Sequence, residues 1–208
     1  MMMNVLVIIL VNKVEMLLNT VKRSQCHKEG DVKMSIQISD EIRVHIRWLV
    51  SRDMREVLEI EHKSFEFPWT EEDYHRCLRA RNCIGMVAEY NNEIAGYMIY
   101  ELCKSKIQLL NLATAKQFRR LGVATQMMAK LIGKLSSQKR NRITFEIRET
   151  NLVAQLFFRS VGFRATQILK DYFEEMHEDA YFMQYRYTPE PTETEYDKAH
   201  NRIIQYLS

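Results

Sequence analysis

The chain has 208 residues, 46% of them hydrophobic, enough to bury one sizeable core and too few for two ordinary domains with linkers. Thirty Lys and Arg against 27 Asp and Glu leave a net charge of +3, which gives no field for gathering nucleic acid without a local cluster. The densest basic stretch, KLSSQKRNR at residues 134–142, reads as a solvated helix end and turn, so no direct nucleic-acid partner is expected. The cysteines Cys26, Cys77, Cys83 and Cys103 have no CxxC spacing, and the histidines are scattered. No metal site is expected, and a reducing cytoplasm is the location this usage fits.

In chain order, residues 1–41 form an extension before the first strand-like segment. Its apolar run VLVIILV at residues 5–11 falls far short of the ~20 residues that cross a bilayer. No Lys or Arg precedes that run and no small-x-small site follows it, so neither a membrane partner nor a secretory leader is expected. Met34 stands as an alternative start.

The working domain is expected over residues 42–187. RVHIRWLV at residues 43–50 alternates as a half-buried strand does. Ser51 is a candidate N-cap for a first helix whose stripe takes in Met54, Val57, Leu58, Glu61 and Phe65. Thr70 and Asp73 open a second helix with a capping pattern, and Arg81 and Asn82 close it. Residues 83–90 and 94–103 are β-rich runs joined by Asn91-Asn92-Glu93, which predicts an antiparallel hairpin.

IQLLNLA at residues 107–113 is apolar at nearly every position, as a central strand is, and leads to a helix opened by Gly122. RITFEIR at residues 142–148 is a further strand. Asn151 caps the next helix, which stops at Gly162. Residues 165–170 and 180–187 finish the sheet. The order βααβββαβαββ predicts an α/β fold with a mixed, mostly antiparallel sheet flanked by helices. Residues 188–208 read as an acidic linker, TPEPTETEYD, followed by a short C-terminal helix.

The chemistry concentrates at Arg119-Arg120-Leu121-Gly122-Val123-Ala124, between a strand and a helix start. Exposed N–H groups, the positive end of the helix dipole, small side chains and two arginines together suit a diphosphate. This segment resembles the acyl-CoA pyrophosphate loop, Q/R-x-x-G-x-G/A, of the GNAT acetyltransferase superfamily. FEFPWTEEDY, LLNLATA, FRRLGVA, FEIRETNLVAQLFFRSVGF and YFEEMHEDAYFM resemble its ribosomal-protein-alanine N-acetyltransferase branch, in the same order and at similar spacings. The similarity covers residues 43–187.

The resemblance implies a GNAT-type fold, acetyl-CoA as co-substrate, and direct transfer of acetyl to a protein N-terminus, with Ala of a small-subunit ribosomal protein as the branch's acceptor. It implies that Leu112, Ala113 and Thr114 offer backbone hydrogen bonds to pantetheine, and that Arg120, Leu121, Gly122, Val123, Ala124 and Thr125 hold the pyrophosphate. Asn151 would bind further along CoA. Glu146 matches the general base, which an α-amine needs because its pKa near ~8 leaves it protonated at neutral pH. Phe65, Phe67, Pro68 and Trp69 would line the acceptor groove, and Glu178 and Asp179 match a further motif.

One position departs from the pattern: Phe158 stands where the family has the tyrosine that protonates the leaving thiolate. Tyr172 is the candidate replacement. Two other readings stay open, a small-amine or lysine acetyltransferase and a non-catalytic acyl-CoA-binding module. The oligomeric state is not legible.

Overall fold

The RVHIRWLV alternation condenses into a short edge strand, β1 (His45–Trp48), paired antiparallel with β2 (Cys83–Tyr90). In this computed structural model residues 41–174 and 177–189 are described; the apolar run near the start, Met34 and the expected C-terminal helix lie outside them. The chain enters α1 (Met54–Ser64) through a 3-10 turn, Ser51–Asp53, so Ser51 is the first residue of that turn and not a helix cap. Asp53 does the fixing instead. Its carboxylate accepts from the Val50 N–H at 3.0 Å and from both Arg47 terminal nitrogens at 2.6 and 2.9 Å, which ties β1 to the start of α1.

α2 (Glu71–Leu78) opens with the reciprocal bonds expected of Thr70 and Asp73: Asp73 N–H to Thr70 Oγ1 at 3.2 Å, and Thr70 N–H to Asp73 Oδ2 at 3.0 Å. It ends at Leu78, three residues before the expected Arg81, because residues 79–82 already turn into β2. That turn brings Cys77 to Cys83 with Cα atoms 6.1 Å apart, and the two form a disulfide that their spacing did not signal. β2 and β3 (Glu93–Leu102) form the expected hairpin; Asn91 and Asn92 take φ of 49° and 66°, which asparagine tolerates better than most residues.

β4 (Ile107–Thr114), α3 (Val123–Ile132), β5 (Arg142–Arg148), α4 (Leu152–Ser160), β6 (Arg164–Phe173) and β7 (Glu178–Arg186) follow, so the element order is the one expected. The seven strands lie in the order β1-β2-β3-β4-β5-β7-β6. Every neighbouring pair is antiparallel except β4 and β5.

Successive side chains of a strand face opposite sides, and both sides are covered. Phe145 of β5 packs on Phe158 of α4, ring centroids 4.1 Å apart, and on Phe163 at 5.2 Å. Its neighbours Thr144 and Glu146 therefore face the other side, where α1 reaches Tyr97 of β3 and Asn111 of β4 through Glu61. Among the described residues no helix is long and apolar enough to cross a membrane.

Candidate active site

Parallel strands pair evenly along their length when nothing intervenes, and β4 and β5 do not. They share register only at Ile107↔Ile143 and Gln108↔Thr144. Beyond that point β4 stays on β3, through Met98↔Leu112, Tyr97↔Ala113 and Gly96↔Thr114, while β5 stays on β7. The edge of β4 over residues 109–114 that faces away from β3 is thus left without a strand partner, and Leu112, Ala113 and Thr114 lie on it.

Four buried side-chain oxygens on these two strands have no hydrogen-bond partner among the described residues: Asn111 Oδ1 and Thr114 Oγ1 on the unpaired stretch of β4, Thr144 Oγ1 at the last paired position of β5, and Glu146 Oε2 just beyond it. Buried polar groups are satisfied in the great majority of cases, so these oxygens are left available to a group that enters between the strands. Glu146 is 6% exposed, and burial pushes its carboxyl above the usual range, only partly offset by the charge of Lys106. Tyr172 of β6 is near enough to feel it: burial first, and then the Glu146 charge, push the phenol up.

At the end of β4 the chain reverses through a 3-10 turn, Lys116–Phe118, into the loop before α3. Arg120 adopts φ 68° and Gly122 φ 78°, the left-handed conformation that glycine takes at least cost. Gly122 is the residue before α3, so the N–H groups of Val123, Ala124 and Thr125 have no intrahelical acceptor. A cavity of about 410 Å³ lies over them, lined also by Thr114, Arg120, Phe157 and Ser160.

A diphosphate fits this cradle: free N–H donors, a helix dipole and one exposed arginine face it. Arg119, expected as a second flanking cation, instead turns its guanidinium inward, donating to the Thr114 carbonyl at 3.1 Å and to Ser64 Oγ at 3.1 Å. Glu41 lines the rim, its carboxyl carbon 3.3 Å from where a Cβ on Gly122 would stand. Asn151 caps α4 by accepting from Ala154 N–H at 3.2 Å.

On the acceptor side, Phe65 and Trp69 are buried and Phe67 is 46% exposed, so the expected groove residues divide between core and surface. Glu66 between them bonds Arg148 at 3.1 Å, across to the face of β5 that carries Glu146. Arg148 also holds Glu178, and Asp179 bonds Lys170 and the Asp171 N–H, so both acids of that motif are engaged within the protein. Phe158 is fully buried among Phe145, Phe157 and Phe163, away from Glu146.

Not anticipated was the environment of Glu61, 1% exposed in α1. Its carboxylate accepts from Trp69 N–H at 2.8 Å, Tyr74 OH at 3.0 Å, Asn111 Nδ2 at 3.1 Å, and Tyr97 OH. The available signal was an acid on an otherwise apolar helical stripe.

A mixed sheet whose central parallel pair parts beside a helix start with free N–H groups is the architecture of an acyl-CoA-dependent transferase fold. The chain belongs to the acetyltransferase (GNAT) family, whose model matches residues 54–163. It is an acetyl-CoA-dependent N-acetyltransferase.

Among its relatives, the ribosomal protein bS18-alanine N-acetyltransferase of Haemophilus ducreyi is 28% identical over 128 residues, covering 62% of this chain and 88% of the relative. The crystal structure of the ribosomal-protein-S18-alanine N-acetyltransferase from Escherichia coli matches with TM-score 0.63 at 22% identity, over 73% of this chain and 98% of that one. Arabidopsis thaliana NAA60 in complex with acetyl-CoA matches with TM-score 0.62 at 13% identity, over 69% of this chain and 98% of that one.

Proposed function

We propose that the protein transfers acetyl to the N-terminal α-amine of another protein, with an Ala-initiated ribosomal protein as the first candidate acceptor, and that Glu146 is the general base. The names of the relatives support the acceptor class. The observation that carries the base is the buried Glu146 oxygen with no partner, sited where β4 and β5 part. A carboxylate raised by burial is better matched to an amine of pKa near ~8 than an ordinary one.

In this reading acetyl-CoA supplies the activated acyl group. The free edge of β4 at Leu112, Ala113 and Thr114 aligns its pantetheine arm as an added strand would be aligned. Arg120, Leu121, Gly122, Val123, Ala124 and Thr125 hold the pyrophosphate through N–H groups, the helix dipole and the Arg120 charge. Asn151 reaches it from the start of α4 while capping that helix. Glu146 takes one proton from the incoming ammonium, the free amine attacks directly without an acyl-enzyme, and the nitrogen gives up its second proton to solvent as the C–S bond breaks.

Tyr172, kept protonated by its surroundings, returns a proton to the departing thiolate, a task that Phe158 cannot perform. Thiolate, with a pKa near ~8.5 in cysteine, needs little help to leave. Cytoplasmic residence goes with a ribosomal acceptor; it does not follow from the cysteines, because a disulfide such as Cys77–Cys83 is uncommon in a reducing compartment.

The buried Phe158 is what favours a second reading, an acyl-CoA-binding module without turnover. One experiment separates the two: CoA release from acetyl-CoA with peptides that differ in their first residue, for the native protein and Glu146→Gln. Turnover on Ala-started peptides, reduced about 10²–10⁴-fold in the variant, is the expected result. Tight acetyl-CoA binding with no turnover on any peptide or small amine would transfer the case to the binding module.

A further inference from the structure

The arch of residues 65–69, between α1 and α2, is held from two directions. On its outer side Glu66 reaches Arg148, on the strand and face of Glu146, while Phe67 stands exposed between these contacts and the helix that follows. On its inner side the backbone N–H of Trp69 is fixed by Glu61 at 2.8 Å, and the Trp69 ring lies edge-on to Tyr74 with centroids 5.4 Å apart. Tyr74 in turn meets Tyr97 at 6.0 Å.

Four groups from four elements converge on one carboxylate: the arch through Trp69, α2 through Tyr74, β3 through Tyr97 and β4 through Asn111. The Trp69 amide and the Asn111 Nδ2 are donors that cannot accept, so what they surround must present acceptors on both of its oxygens. An ionised carboxyl group does so; burial pushes that of Glu61 up to about 7 against the pull of these hydrogen bonds, so the arrangement is complete from neutral pH upward. A buried acid costs free energy to keep, and an apolar residue here would complete the α1 stripe. The acid is explained if the shape it imposes on the arch matters more than the stability it forgoes.

We propose that Glu61 is the positioning residue of the acceptor groove: it holds the 65–69 arch in the one conformation that receives the acceptor peptide beside Glu146. This rests on the peptide-acceptor reading above. Glu61 touches neither substrate and has no part in the chemical step. Its influence is therefore on how well the peptide binds, and not on the rate once both substrates are bound.

The test is steady-state kinetics of the full chain with acetyl-CoA and an Ala-started peptide, for the native protein, Glu61→Gln, Tyr74→Phe and Tyr97→Phe. Gln keeps the size but turns an NH₂ group toward donors. The expected result for Glu61→Gln is a peptide KM raised about tenfold, with kcat and the acetyl-CoA KM within about twofold of native. The two Phe variants, each removing one donor, are expected to raise the peptide KM about threefold in the same selective way, and they carry the test if Glu61→Gln does not fold.

An unchanged peptide KM in the folded variants overturns the proposal. So does a parallel loss in kcat and both KM values, which is the signature of general structural damage. Absence of any peptide turnover by the native protein removes the acceptor reading and this proposal together; native turnover with an unaltered variant KM removes this one alone.

Discussion

At the scale of single residues, the proposed chemistry requires two groups, Glu146 and Tyr172, to be in opposite protonation states at one pH. Burial raises the Glu146 carboxyl above its ordinary value of 4.5, so its inactive, protonated form persists to higher pH than in an exposed glutamate. Activity should therefore fall as pH drops, with the acid limb of kcat/KM lying above pH 4.5 and missing from the residual activity of Glu146→Gln. The sign for Tyr172 is the reverse in consequence: a phenol pushed above 10.0 stays protonated, and so able to donate, throughout the neutral range. Tyr172→Phe is expected to lower kcat about tenfold and to leave acetyl-CoA binding intact. An unchanged kcat would assign the proton to another donor.

Elements carry the next set of expectations, because a helix start does two jobs here. Gly122 supplies a left-handed residue and an open approach to the N–H groups of α3. Gly122→Glu places a carboxylate in the cradle next to Glu41, and loss of acetyl-CoA binding by at least tenfold in a folded variant is expected from charge and crowding together. Calorimetric titration checks this, and an unchanged affinity would remove the loop from the cofactor site. Asn151 separates the two jobs at α4. Asn151→Ala loses the bond to Ala154 N–H, which should lower stability by about 1 kcal/mol in thermal unfolding. A weaker acetyl-CoA affinity in the same variant, beyond that stability loss, would show that the side chain also reaches the co-substrate. Caps and turns of this kind were legible before the fold was known: Thr70 with Asp73, Asn91-Asn92, Gly122, Asn151 and Gly162 all act within a few residues of their own position. Ser51 was misassigned because its competitor for the same helix start, Asp53, is secured by Arg47 from the preceding strand.

At the scale of the whole molecule, the sheet is a device for parting two strands. The antiparallel hairpin β2–β3 holds β4 on one side, the β6–β7 pair holds β5 on the other, and the parallel contact between β4 and β5 is too short to close the gap. The amino-acid sequence by itself determined the order of elements, the hairpin, the helix starts and the loop pattern that resembles a pyrophosphate cradle. Each of these follows from periodicity or from side chains acting on nearby backbone, which needs no knowledge of distant partners. Only the tertiary structure decided where β4 and β5 diverge, that four buried oxygens on these strands go unpaired among the described residues, that Arg119 turns inward to Ser64, and that Cys77 meets Cys83. It alone also turned Glu61 from a flaw in a helical stripe into a buried hub, joined to Tyr97 and Asn111 across 36 and 50 residues of chain. Contacts over such separations leave no local mark in composition or period. They exist because burial brings together groups whose hydrogen-bonding needs can be met only by one another.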